Sequence, residues 1–238
     1  HGKEVENNGF LVIIEKGSLF DLELAGSTIN LNREENETKI KSLLHTNGKL
    51  SFSQIKTISF LFGLNTDLFK DINGSADLKT NINFDLDKKF KIKNLSYSIN
   101  GVVKQLDLET QEKKIIKKYL SSYSPKIRLL DIKLDLKPTI KNKHFHKLKL
   151  EGNLCFDETS CHFIDITHRY YYKEKKNKIF GGISLTGTEI IIPRFNYKKI
   201  KDVTASLDFD VDFVSDNYYF IHKLYYEDRI GTKVSGIW

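Results

Sequence analysis

The chain is expected to be mainly β, an elongated and curved antiparallel sheet with one or two short helices. Three observations predict this. Apolar and polar residues alternate over long stretches, the period of a strand with one dry face and one wet face. Aromatic residues are abundant, with 16 Phe and 11 Tyr in 238 residues, and such side chains favour pleated surfaces. Dipeptides typical of tight hairpins recur at Asn47-Gly48, Asn73-Gly74, Asn100-Gly101 and Gly181-Gly182. Parallel sheets bury both faces and lose the alternation, so an antiparallel meander is expected.

In chain order, Phe20, Leu22 and Leu24 alternate with Asp21 and Glu23. Ser53 to Phe62 suits a helix through Ile55, Ile58 and Phe62, although its β-branched content leaves a strand open. Ala76 to Asp87 is the clearest strand. There Ala76, Leu78, Thr80, Ile82, Phe84 and Leu86 oppose Asp77, Lys79, Asn81, Asn83, Asp85 and Asp87. Gln111 to Leu120 reads as a helix with Ile115, Ile116, Tyr119 and Leu120 on one face and lysines opposite, capped by Thr110 and stopped before Pro125. Ile132, Leu134 and Leu136 alternate next, followed by Leu148, Leu150, Gly152, Leu154 and Phe156. Asp202 to Phe213 repeats the pattern, with Val203, Ala205, Leu207, Phe209, Val211 and Phe213 on the dry side.

An internal repeat is visible. Phe90, Ile92, Leu95 and Tyr97 match Tyr219, Ile221, Leu224 and Tyr226 spacing for spacing, each set following an alternating strand. The organisation expected is a first β unit over 1–108, a short helical connection over 109–125 and a second β unit over 126–238, in one continuous structure.

Composition bounds the function classes. With 39% hydrophobic and 29% charged residues, the chain is neither disordered nor membrane-spanning, and no apolar run nears the roughly 18 residues of a spanning helix. It begins at His1 and contains no Met, so it reads as a piece of a longer protein. The net charge of +7 is spread as lysine along the whole length. That suits a solvated surface near anionic lipid headgroups and also follows from compositional bias alone. Acidic wet faces such as Asp208, Asp210 and Asp212 argue against a nucleic-acid platform.

No chemistry-bearing motif stands out. There is no Gly-x-Ser-x-Gly elbow, no phosphate-binding loop and no dinucleotide fingerprint. His144 and His146 share one strand face and His162 adjoins Cys161, but the spacing is not that of a zinc site, and flanking Lys143 and Lys147 disfavour a dication. A surface histidine pair is expected. Cys155 and Cys161 flank a turn-like stretch, Asp157 to Ser160. They are either free thiols or a disulfide across a hairpin, which an oxidising compartment would permit. No enzyme activity, cofactor or metal is expected.

The stretch from Phe69 to Leu108 resembles the AsmA-like superfamily, in particular its YhdP-type envelope proteins. The carrying residues are Phe69-Lys70-Asp71-Ile72-Asn73-Gly74, the strand Ala76 to Asp87, and Phe90-Lys91-Ile92-Lys93-Asn94-Leu95-Ser96-Tyr97. Ile115 to Arg128, with Lys117-Lys118-Tyr119-Leu120 and Ser124-Pro125-Lys126, is similar to the family's connecting helix and re-entry strand. Members of that superfamily are bent β-sheets with an apolar inner face that conduct phospholipid between inner and outer membranes. The resemblance implies a periplasmic protein held at the inner membrane by a segment outside this chain. It implies phospholipid acyl chains as the partner, with other envelope proteins beside them and no nucleic acid. The groove would be lined by Leu78, Ile82, Phe84, Leu86, Leu134, Leu136, Leu150, Leu154, Leu207, Phe209, Val211 and Phe213. The same residues would equally form the core of a structural or adhesive β-sandwich module of the envelope, with two sheets about 10 Å apart.

Overall fold

A computed structural model describes residues 2–5, 9–19, 22–61, 66, 69–110, 124–138, 145–156, 161–193, 196–215 and 218–236. The elements are β1 (Gly2–Val5), β2 (Gly9–Ile14), β3 (Ser18–Leu19), β4 (Leu22–Glu23), β5 (Ser27–Arg33), β6 (Glu37–Leu50) and α1 (Phe52–Leu61). They continue with β7 (Phe69–Asp87), β8 (Ile92–Thr110), β9 (Lys126–Pro138), β10 (Phe145–Cys155), β11 (Cys161–Tyr171) and β12 (Lys176–Ser184). The last are β13 (Ile190–Ile192), β14 (Tyr197–Lys199), β15 (Ala205–Ser215), β16 (Tyr218–Asp228) and β17 (Lys233–Gly236).

Fifteen strands form one antiparallel sheet whose main path runs β1-β2-β5-β6-β7-β8-β9-β10-β11-β12-β15-β16-β17. Strand order follows chain order, so the sheet is a meander. Its outermost strands β1 and β17 do not pair with each other, and the sheet stays open. Pairing passes without a break from β8 to β9, across the connection between the two expected β units. Among the described residues the second sheet is the two-stranded β13-β14, and no helix is long and apolar enough to cross a membrane.

The four glycine dipeptides expected as hairpin turns lie instead inside strands β6, β7, β8 and β12. The physical reason is clearest at Gly101 and Gly181, whose φ values are +153° and +155°. A Cβ at Gly101 would sit 2.2 Å from the Asp77 carbonyl oxygen, and one at Gly181 would sit 2.1 Å from that of Asp165. These glycines permit close approach to the neighbouring backbone within a strand, a use that shares its sequence signature with a tight turn. Strands are therefore longer than the dipeptides suggest, 19 residues each for β7 and β8.

Register shifts interrupt the ladders of β7 with β8, β9 with β10 and β15 with β16. Asn94 and Asp131, both with positive φ, stand at the first two. Each inserts a residue and bends the sheet. The internal repeat is explained by these bulges. Its intervals of two, three and two residues place the bulge in the long interval, at 93–94 in β8 and 222–223 in β16. All matched residues within β8 and β16 thus return to one face.

The segment Ser53 to Phe62, open between helix and strand on sequence, is helical through Leu61 in α1, and Phe62 lies outside the described residues. Gln54 supports its start, its side-chain oxygen accepting from the Ser51 backbone N–H at 2.6 Å. The expected helix over Gln111 to Leu120 and the turn over 157–160 lie outside the described residues, as do Phe20 and Asp21. The two thiols flanking that turn are joined. Cys155 and Cys161 are directly paired across β10 and β11 and form a disulfide.

Candidate functional site

Directly opposed residues of an antiparallel ladder project to the same side, so the registers assign every strand residue to a face. One unbroken row crosses ten strands: Thr46, Leu78, Gly101, Leu134, Leu150, Ile166, Gly181, Phe209, Leu224 and Gly236. The neighbouring row runs Leu44, Thr80, Ile99, Leu136, Leu148, His168, Ile179, Val211 and Ile221. On the same side Ile82 opposes Tyr97, Phe84 opposes Ile40, Leu86 opposes Ile92, and Leu154 opposes Leu129 and His162. Leu207 opposes Ile183 and Tyr226, and Phe213 opposes Asn177 and Tyr219. All twelve candidate residues therefore share one face of a single sheet.

The opposite face carries the charges. Arg128 pairs with Asp107 at 2.7 Å, Lys178 with Asp210 at 2.8 Å, Lys149 with Asp165 at 3.3 Å and Lys233 with Glu227 at 2.9 Å. Each links adjacent strands on the polar side. Such exposed pairs contribute little to stability; their weight here is in keeping that side wet. A cleft of about 520 Å³ opens at the end of the sheet near Asp71, Asp107, Glu109, Lys126 and Arg128. Its lining combines these charged groups with Leu108, Ile127 and Phe156.

Protein covers the apolar face at one end of the strands. Ile55 of α1 packs on Leu22, Leu50 and Ala76, with Leu78 and Val103 beside them. The excursion between β12 and β15 folds back as a flap. Leu185 and Ile190 join Ala205 and Tyr226, and Ile183, Ile192, Tyr197 and Leu207 pack around them. Leu207 and Leu78, both partly buried, pack beside these protein clusters.

Polar side chains pin the flap. Lys199 is fully buried, and its ammonium donates to the Thr188 and Ile200 carbonyl oxygens at 2.7 and 3.2 Å. Burial lowers its pKa, opposed by the charges of Asp228 and Asp202. Tyr197 donates to the Asp228 carboxylate, which also accepts the backbone N–H groups of Ile230 and Thr232 at 3.0 and 2.9 Å. Thr188 and His162 are hydrogen-bonded at 2.7 Å.

Towards the other end the face is open. Ile82, Phe84, Leu86, Leu134, Leu150, Phe209 and Val211 are half-buried, Leu136 is buried and Phe213 is exposed, while Leu154, also half-buried, sits at the covered end opposite His162. A polar cluster that sequence reasoning missed lies on this face. His146 is only 4% exposed, which corrects the expectation of a surface pair; His144 lies outside the described residues. The Tyr97 hydroxyl meets the His146 ring and lies 3.2 Å from the Tyr172 hydroxyl. His168 is also buried and bonds the Asn177 side-chain oxygen at 2.8 Å. Burial pushes His146 down to about 4, with a smaller contribution from His168, and pushes Tyr97 up to about 12. The cluster is therefore uncharged at neutral pH. The signal available in the sequence was register: His146 and His168 fall on the same parity as Leu148, Leu150 and Ile166.

Among the described residues no group of three or more His, Cys, Asp or Glu is arranged to hold a metal ion. Comparison with protein-family models, curated proteins and solved structures returns no match to this chain.

Proposed function

We propose that this chain is a segment of a bridge-like lipid-transfer protein, holding phospholipid acyl chains along one face of its sheet between two membranes. The observation that carries the reading is the apolar rows that repeat from strand to strand on one side of the open sheet, interrupted by Thr46, Thr80 and His168, with no second sheet beyond the two-stranded β13-β14 among the described residues to cover them. An apolar sheet face needs a second layer, and where protein supplies none, lipid can. Each buried acyl methylene gains about 0.8 kcal/mol. Rows that repeat from strand to strand offer this gain continuously, so a chain can shift along without meeting one deep well. The Cys155–Cys161 disulfide supports an oxidising compartment such as the periplasm. No residue need act as a catalyst on this reading. A β-sandwich module is disfavoured by the size of the second sheet.

The test is uptake of a fluorescent phospholipid by delipidated protein, with mass spectrometry of lipid retained on purification. Wild-type protein is expected to bind. Phe209→Glu and Leu150→Glu should abolish binding while circular dichroism stays unchanged. Asp208→Asn, on the polar face, should leave binding intact. Failure of wild-type protein to take up any acylated probe would overturn the proposal.

A further inference from the structure

At the open end of the sheet the described hairpin tips expose large aromatic side chains. The β7–β8 tip reads Asp87-Lys88-Lys89-Phe90-Lys91. Phe90 is 83% exposed and has φ +57°. A bulky residue in the left-handed region is unfavourable, and an apolar ring in water adds to the cost. The tip is nonetheless firmly built. The Asp87 carboxylate accepts the Lys89 and Lys91 backbone N–H groups at 2.8 and 3.0 Å, and the Phe90 N–H donates to the Asp87 carbonyl oxygen at 2.8 Å. A braced loop thus holds an aromatic ring outward, with lysines on both sides of it.

The β11–β12 tip at the same end repeats the chemistry with Tyr172, 40% exposed, beside Lys173 and Lys175. Tyr172 leans back to the Tyr97 hydroxyl inside β8, and the registers set both tips at the uncovered end of the sheet. Tyr219 and Phe220 continue the rim at 62% and 55% exposed. The neighbouring β5–β6 tip is acidic, with Glu34, Glu35 and Glu37; Lys39 lies 2.6 Å from Glu34 and 3.6 Å from Glu37, and the lysines of the other tips carry the attraction. Aromatic rings interleaved with lysine match the interfacial region of a bilayer, where rings enter the headgroup layer and ammonium groups meet phosphate.

We propose that this rim docks onto the surface of an anionic phospholipid bilayer, with Phe90 inserted and Lys88, Lys89 and Lys91 on the headgroups. The inference is independent of what the apolar face carries, although a rim at its uncovered end would give lipid a route on and off.

The test is flotation of the chain with vesicles of phosphatidylcholine doped with phosphatidylglycerol, against pure phosphatidylcholine. The chain should float with the doped vesicles alone and less well in high salt. Phe90→Ser should weaken partitioning about tenfold, the effect of withdrawing one aromatic ring from an apolar layer. The triple change Lys88→Glu, Lys89→Glu and Lys91→Glu should abolish it. The charge-matched triple Lys49→Glu, Lys126→Glu and Lys133→Glu, away from the rim, should leave it. Equal loss from both triples, equal binding to both vesicle types, or no flotation would overturn the proposal. So would self-association of the chain that Phe90→Ser abolishes, without vesicle binding. Uptake of fluorescent phospholipid by the same variants without vesicles separates the two readings. Uptake without flotation sinks only the rim, and flotation without uptake sinks only the groove.

Discussion

Single residues decide whether the sheet can close up. Gly181 lies in the long apolar row with its Cα against the β11 backbone, and any Cβ there meets the Asp165 carbonyl oxygen at 2.1 Å. Gly181→Ala should therefore destabilise the protein by about 1–3 kcal/mol, read as a lower urea midpoint. The adjacent Gly182 has φ outside the left-handed region, and its Cβ would meet no backbone atom closer than 3.9 Å. Gly182→Ala is the matched control and should cost much less. His146 makes a pH prediction. Its pKa falls to about 4 in the folded chain, mainly through burial, from an unfolded value near 6.5. Between those values the unfolded state binds more protons, so stability is fully present above pH 6.5 and declines as pH falls toward 4. His146→Gln should flatten that part of the stability–pH curve, and the imidazole should titrate near 4 by NMR. Alternation alone told which residues shared a side. It could not separate a glycine that turns the chain from one that admits a neighbouring backbone, because both uses need the same missing Cβ.

At the level of elements, the bulged strand following an alternating strand is the recurring unit. The spacing of Ile92, Leu95 and Tyr97, and of Ile221, Leu224 and Tyr226, was legible, but its meaning was not. A strict period of two would have sent Leu95 and Leu224 to the polar side. The extra residue restores parity, and only the registers reveal it. The flap is the element least legible in sequence. Gly187, with φ +85°, and the buried Lys199 gave no periodic signal, since the flap is held by side-chain hydrogen bonds as much as by alternation. The hairpin of β10 and β11 carries a third prediction. Its disulfide closes a short loop of sequence separation 6, for which loop-closure entropy gives about 2 kcal/mol. Reductant, or Cys155→Ser with Cys161→Ser, should lower the unfolding free energy by that amount, read as a lower urea midpoint, without unfolding the chain, because the ladder between the two strands persists through eleven paired positions.

On the scale of the whole molecule, the antiparallel character and the twelve-residue apolar set followed from periodicity, since each strand had to present one dry side. What periodicity withholds is what lies over that side. The expected groove and the expected sandwich share one sequence pattern and differ only in a facing layer. The described residues supply that layer only locally, through α1 and the flap at one end. The lipid-uptake experiment with Phe209→Glu and Leu150→Glu therefore tests the continuity of the face, because those two positions lie in one row with β11 and β12 between them.

The ordering of strands along the chain has a consequence for how the protein comes apart. Apart from β4, α1 and the flap at one end, the strands of the main path lean on their neighbours in that path, and the longest partnership joins β7 to β8. Such an array resembles a zip fastener more than a ball. It can lose teeth from either flank while its middle remains shut, and during synthesis each new hairpin can add itself to a border already formed.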